Sequence, residues 1–86
     1  MENKLKQDVP IGPNLKKFRL KAGLSQESVA AKLQTRGLDI HQKILSEMEL
    51  GTYSIRISVL LALSELYNIP IQDFFADLDR YESEMP

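Results

Sequence analysis

Cysteine is absent from this chain, and histidine occurs once, at His41. The missing cysteines exclude a disulfide framework, and one histidine is no ligand set for a structural zinc ion. Long apolar runs are missing too, since none approaches the roughly 18 residues that span a bilayer. The amino end, Met1 to Pro10, is polar and has no secretory core, so a cytoplasmic protein without a membrane partner is expected. Catalytic patterns are equally scarce. There is no Gly-rich phosphate loop, no cluster of metal ligands and no nucleophile set beside a base, because the only histidine falls at a helix start. Carboxylates are plentiful but sit on exposed helix faces. These absences leave a non-enzyme with no metal, no cofactor and no small-molecule ligand in view.

What is present is apolar spacing. Hydrophobic residues make up 43% of the 86 positions and recur at helical intervals, enough for one compact core in a single domain. The net charge of -1 argues at first against nucleic acid. Its distribution changes that. Residues 1–56 carry ten Lys/Arg against six acids, or +4, whereas residues 57–86 hold only Arg80 against six acids, or -5. A basic half can meet phosphates with one face, although uneven charge is also common in small domains.

Punctuation divides the chain into a flexible polar arm (1–10), a helical domain (11–78) and a charged tail (79–86). Pro13 suits a first helical position, and helix 1 is expected over about 13–21 with Leu15, Phe18 and Leu20 inward. Gly23 ends it. Ser25 is the N-cap of helix 2, and Glu27 faces its positive dipole end. Val29, Ala30 and Leu33 point to the core. Helix 3 spans about 41–50, with Leu45 and Met48 inward and Gly51 as terminator. Helix 4, about 57–67, carries Leu60, Leu63 and Tyr67, closes at Asn68 and cannot pass Pro70. A fifth helix is expected over about 71–78, with no sheet.

Two fragments stand out: Gly23-Leu24-Ser25-Gln26-Glu27, a tight corner and helix start, and Leu45-Ser46-Glu47-Met48-Glu49-Leu50-Gly51, a short amphipathic helix that stops at glycine. In that order they are the parts of a helix-turn-helix. Together with Ala30 and the closing Leu60, Leu63, Tyr67-Asn68-Ile69 and Phe74, the chain resembles the lambda-repressor-like, Cro/C1-type helix-turn-helix family, also called the XRE family, over roughly residues 11–75. The resemblance implies an all-α, compact five-helix bundle that binds double-stranded DNA. Three positions depart from the family's pattern. The spacing from Ala30 to Leu45 is longer than usual by about five residues, so either helix 2 or the turn before the recognition helix is lengthened near residues 34–39. His41 stands where Ser or Thr usually caps helix 3, and Arg56 replaces the polar cap of helix 4.

In this motif the amino end of the second helix meets base edges. Gln42, Lys43, Ser46 and Glu47 are the exposed residues there, opposite Leu45 and Met48. Glutamine bonds adenine through two atoms, lysine donates to guanine and glutamate accepts from cytosine N4. The plainer alternative is the solvated side of a short helix. Ile44 either touches a thymine methyl or tucks against the turn. The resemblance implies that Gln26 donates to a phosphate beside the free N–H groups of helix 2, with Ser25 able to join it. Lys16, Lys17, Lys32 and Arg36 are phosphate candidates by charge alone, and His41 either donates to a phosphate or faces solvent. The resemblance also implies a structural salt bridge between Arg19 and Glu49, holding the recognition helix against helix 1.

The apolar excess of Leu61, Leu66, Phe74 and Phe75 is either a filled core or a self-association patch. A homodimer would present two recognition helices about 34 Å apart to a palindromic operator. The function expected is therefore a sequence-specific transcriptional regulator of repressor type. The alternative is a protein-interaction module of the same fold, antitoxin-like or regulator-binding.

Overall fold

A computed structural model describes residues 4–5 and 10–76 of the chain. Four α-helices follow in the order α1 (Gly12–Lys21), α2 (Gln26–Thr35), α3 (Gln42–Leu50) and α4 (Ile57–Tyr67). Among the described residues the fifth α-helix expected over 71–78 is not found. Residues Ile71–Phe75 instead form a 3-10 turn, with i to i+3 bonds from Asp73 N–H to Pro70 and from Ala76 N–H to Asp73. A physical reason lies on α1: Asn14 Nδ2 donates to the carbonyls of Phe74 and Ala76, both at 2.9 Å. Acceptors that another helical turn would use are satisfied from the side. The tail expected at 79–86 lies outside the described residues.

The expectation of no sheet is also corrected. Strand β1 (Lys4–Leu5) pairs antiparallel with β2 (Ile55–Arg56), Lys4 opposite Arg56 and Leu5 opposite Ile55. Two-residue strands carry no readable period. The pair ties part of the amino-terminal stretch to the connection between α3 and α4. Apart from Lys4–Leu5 and Pro10, the arm expected at 1–10 lies outside the described residues.

Each α-helix closes in the same way. Gly23, Gly37, Gly51 and Asn68 take left-handed φ values of 74°, 81°, 83° and 57°. The N–H one residue further on then reaches back: Leu24 to Arg19, Leu38 to Leu33, Thr52 to Glu47 and Ile69 to Ser64. This is the Schellman closure, which satisfies terminal carbonyls and turns the chain sharply. Leu24, Leu38 and Ile69 then fold back onto the core.

The extra residues before α3 enlarge the turn and leave α2 ending at Thr35. The turn is nevertheless anchored. Ile40 is buried and Leu38 packs on the core, while Gln34 Nε2 donates to the Ile40 carbonyl at 3.2 Å.

The core gathers Leu15 from α1, Val29 and Leu33 from α2, Leu45 and Met48 from α3, and Val59, Leu60 and Leu63 from α4. Phe74 sits fully buried among them, edge-on to Phe18 and Tyr67 with ring centroids 6.0 and 6.2 Å away. Ile11, Ile40 and Ile55 complete it from outside the helices, where helical periodicity cannot find them. Leu20, expected inward, is 58% exposed, because α1 turns Arg19 rather than Leu20 toward α3.

Candidate nucleic-acid interface

Arg19 and Glu49 form a two-pronged ion pair between α1 and α3, Nε to Oε2 at 2.6 Å and NH2 to Oε1 at 3.0 Å. Both residues are buried. The third guanidinium nitrogen donates to the Leu24 carbonyl at 2.9 Å, so the planar fork is used on all sides. Hydrogen bonding to Glu49 raises the Arg19 pKa against the opposing pull of burial. The helices meet closely at this point. A Cβ on Gly12 would lie 2.5 Å from the Glu49 carbonyl oxygen and 2.8 Å from that of Met48.

The pair is the root of a longer chain of hydrogen bonds. Glu49 Oε1 also accepts from Gln26 Nε2 at 2.9 Å, and Gln26 Oε1 accepts from Gln42 Nε2 at 2.7 Å. Gln26 opens α2 and Gln42 opens α3. The buried charge therefore orients a side chain at the exposed amino end of α3. Arg19, Ser25, Gln26, Glu27 and Gln42 line an open cleft between the two helix starts. Ser25 caps α2, its Oγ accepting from Ser28 N–H at 3.0 Å.

Along α3, Gln42 and Lys43 are exposed, Ile44, Ser46 and Glu47 are half-buried, and Leu45 and Met48 are buried. Of the four residues expected to stand exposed for base reading, Gln42 and Lys43 do so, whereas Ser46 and Glu47 are half-buried on the side of the helix away from Leu45 and Met48. Gly51 and Thr52 close its far end on the Met48 and Glu47 carbonyls.

Other expected residues fall elsewhere. Arg36 NH1 donates to Glu65 Oε1 of α4 at 2.5 Å, an exposed pair remote in sequence from α3. His41 is the α3 N-cap residue but makes no side-chain cap bond. Its Nε2 lies 3.0 Å from Asp39 Oδ1 and its Nδ1 3.3 Å from Gln34 Nε2, so the ring braces the turn. Lys17 stands over the Phe18 ring. The patch named from the sequence is divided: Phe74 is fully buried, Leu66 packs partly on the core, and Leu61 and Phe75 are 48% and 40% exposed. Phe74 is therefore core and no part of an exposed patch.

Residues missed from the sequence lie after α3. Tyr53, Ser54 and Arg56 line a cleft of about 350 Å³ with Asp39, Ile40, His41, Ile44 and Met48. Arg56, the exposed N-cap residue of α4, provides no side-chain cap. Its unusual place at a helix start was the only sequence signal pointing there. Tyr67 places a buried hydroxyl with no hydrogen-bond partner among the described residues, and burial raises its pKa.

No described helix is long and apolar enough to cross a membrane, and no described group of three His, Cys, Asp or Glu is placed to hold a metal ion. The fold is that of a small helical domain whose second and third helices form a helix-turn-helix. The family model for helix-turn-helix domains matches residues 15–74, and the chain belongs to that family in its lambda-repressor-like, Cro/C1 type. The family is one of DNA-binding regulatory domains. No curated protein matches the chain.

Proposed function

We propose that this protein is a sequence-specific DNA-binding transcriptional regulator, of repressor type, that inserts α3 into the major groove. The observation that carries the proposal is the hydrogen-bond chain from the buried Arg19–Glu49 pair through Gln26 to Gln42. It fixes the leading side chain of α3 before any ligand arrives. One Nε2 hydrogen of Gln42 goes to Gln26. The other, together with Oε1, remains for the N7 acceptor and N6 donor of an adenine. Lys43 would donate to guanine and Glu47 would accept from cytosine N4, with Ser46 between them.

Phosphates would flank this reading edge. The amino end of α2, with Ser25 and Gln26, offers N–H groups and a positive dipole end. Arg56 and Tyr53 stand on the opposite side of α3, across its neighbouring cleft. Lys43 and Arg56 supply cations at the surface, so the overall acidity need not exclude a phosphate backbone. A homodimer, its contact built on Leu61 and Phe75, would carry two such edges to a palindromic operator.

Selection of bound duplexes from a random pool, followed by salt titration of the winner, tests this. The expected outcome is an enriched motif whose affinity falls steeply with salt. A two-fold repeat in that motif supports the dimer. Failure to enrich any sequence at low salt would instead favour a protein-interaction module of the same fold.

A further inference from the structure

Two glutamines of α2 hold consecutive residues where α3 begins. Gln26, the first residue of α2, accepts from Gln42 at 2.7 Å. Gln34, in the last turn of α2, reaches the two residues before Gln42. Its Nε2 lies 3.2 Å from the Ile40 carbonyl oxygen and 3.3 Å from His41 Nδ1. On the far side of the ring, His41 Nε2 lies 3.0 Å from Asp39 Oδ1.

The donors fix where the protons sit. A carbonyl oxygen only accepts, so Gln34 Nε2 gives one hydrogen to Ile40. Its other hydrogen points at His41 Nδ1, which must then be the bare ring nitrogen. The ring proton is on Nε2 and is donated to Asp39. All three bonds coexist only in the neutral imidazole. A second proton would land on Nδ1 and set one N–H against another. Turning the Gln34 amide over would offer Oε1 to the new N–H but press it against the Ile40 carbonyl oxygen. Either way a bond from α2 to the turn is lost. His41 is also the N-cap residue of α3, its carbonyl accepting from Leu45 N–H at 3.1 Å, so a positive ring there opposes the helix dipole.

We propose that Gln34 is a positioning residue for the amino end of α3, and that protonation of His41 loosens its hold, so that α2 and α3 are joined by a pH-sensitive latch. The stability contributed by the latch is present above the imidazole range and is lost as pH falls and the ring gains its second proton. From α2 the ring meets uncharged Gln34, and from the turn it meets Asp39. The cleft that it lines is apolar on the α3 side, at Ile44 and Met48, and polar across, at Tyr53, Ser54 and Arg56. Asp39 and Arg56 bring opposite charges to that cleft. Both stay in place when Gln34 and His41 are varied together, so their effect on the ring cancels from the coupling between the two. An effect of the latch on base reading rests on the DNA-binding proposal, whereas the latch itself does not.

A double-variant cycle on the full chain tests it. Urea midpoints are measured for wild type, Gln34→Ala, His41→Ala and the double variant at about pH 8 and about pH 5.5, on either side of the imidazole range. At the higher pH the double variant should lose less than the two single losses combined, because each single change breaks the same bond. At the lower pH that coupling should shrink and the losses approach additivity. Gln34→Glu supplies the second readout. Its carboxylate accepts from Nδ1–H of the charged ring, so its coupling to His41 should be larger at the lower pH, the reverse of wild type. A glutamine that only fills space would give no such reversal. Additive losses at the higher pH, wild-type coupling equal at both values, or the same pH order for Gln34→Glu would each overturn the proposal. For a selected duplex, wild type should discriminate single-base variants at the Gln42 position less well at the lower pH, and Gln34→Ala should discriminate alike at both. A charged His41 attracts all duplexes equally, so discrimination rather than affinity is compared. Wild-type discrimination that ignores pH would overturn the link from latch to reading. Failure to enrich any duplex counts against DNA binding alone, since the cycle uses no DNA.

Discussion

Gln42 donates to Gln26 across 2.7 Å, joining the first residue of α3 to the first residue of α2. The bond sets the angle at which the outer amide group of Gln42 leaves the surface. Without it, that amide must be ordered at the moment of binding, at an entropic cost. Gln42→Ala removes the reading group itself and should relax preference at one base pair by about 1–3 kcal/mol. Gln26→Ala leaves the reading group but frees it, so preference at the same base pair should fall by less. Competition between the selected duplex and its single-base variants measures both. Equal discrimination by wild type and Gln42→Ala would remove Gln42 as a reading residue.

The ion pair beneath that bond stabilises through geometry. Burying two charges is costly, and the cost is offset only when all their hydrogen-bonding groups are used. Here the guanidinium meets both Glu49 oxygens and the Leu24 carbonyl. Glu49→Ala leaves the buried Arg19 unpaired and should cost about 3–5 kcal/mol, read as a lower urea midpoint. Arg19→Met with Glu49→Leu replaces both charges and should return most of that loss. The double variant should still discriminate less well at the base pair that Gln42 reads, since Gln26 loses its anchor. A Glu49→Ala midpoint equal to wild type would show that the pair does not hold the fold.

Tyr67 is a polar group left over in the core. Its hydroxyl is buried and has no partner among the described residues. Tyr67→Phe deletes that oxygen while keeping the ring against Phe74, and should stabilise by about 1 kcal/mol. The same side chain makes stability fall in alkali. Burial raises its folded pKa, so the fold keeps the phenol neutral while the unfolded chain releases the proton above about pH 10. This contribution to stability is whole below that pH and declines as pH rises, by up to about 1.4 kcal/mol per pH unit. Melting curves from pH 9 to 11 should therefore fall more steeply for wild type than for Tyr67→Phe. Parallel curves would mean that the phenol is not shielded.

Elements that rest on local chemistry were legible in the sequence. The Ser25 cap, the Gly51 stop, the Pro70 barrier and the apolar spacing of Leu45 and Met48 all act within one turn of helix, so neighbours in sequence suffice to see them. What could not be read depends on contacts distant along the chain. The strand pair needs Leu5 beside Ile55. The shortened last helix needs Asn14, some 60 positions from the carbonyls it holds. Arg36 looked like a phosphate ligand by charge, but Glu65, 29 positions away, takes its donor. Phe74 and Phe75 have the same composition and opposite fates, because one side of the 3-10 turn faces Phe18 and Tyr67 while the other faces out. At the interface, type and order of residues pointed to α3, but the route from Glu49 through Gln26 to Gln42 exists only once three helices have met.

Gly12 and Gly37 separate two ways in which a glycine becomes irreplaceable. At Gly37 the backbone has φ +81° with nothing within 4 Å of an added Cβ. Alanine there pays only for the left-handed conformation, roughly 1–2 kcal/mol. At Gly12 the conformation is ordinary helix, but the added carbon would meet the Glu49 carbonyl oxygen at 2.5 Å and that of Met48 at 2.8 Å. Those atoms are backbone in the last turn of α3 and cannot rotate aside. Gly12→Ala must push α1 and α3 apart, and overpacking of this kind costs about 1–3 kcal/mol or more. The displacement falls on the joint spanned by Arg19 and Glu49, so Gly12→Ala should weaken DNA binding at temperatures where the variant is still folded. Gly37→Ala should lower the melting midpoint and leave the affinity of the folded protein nearly unchanged. Urea midpoints and affinity measured on both variants distinguish the two effects, and a loss of affinity equal in both would show that the close seating of α1 on α3 has no bearing on how α3 is presented.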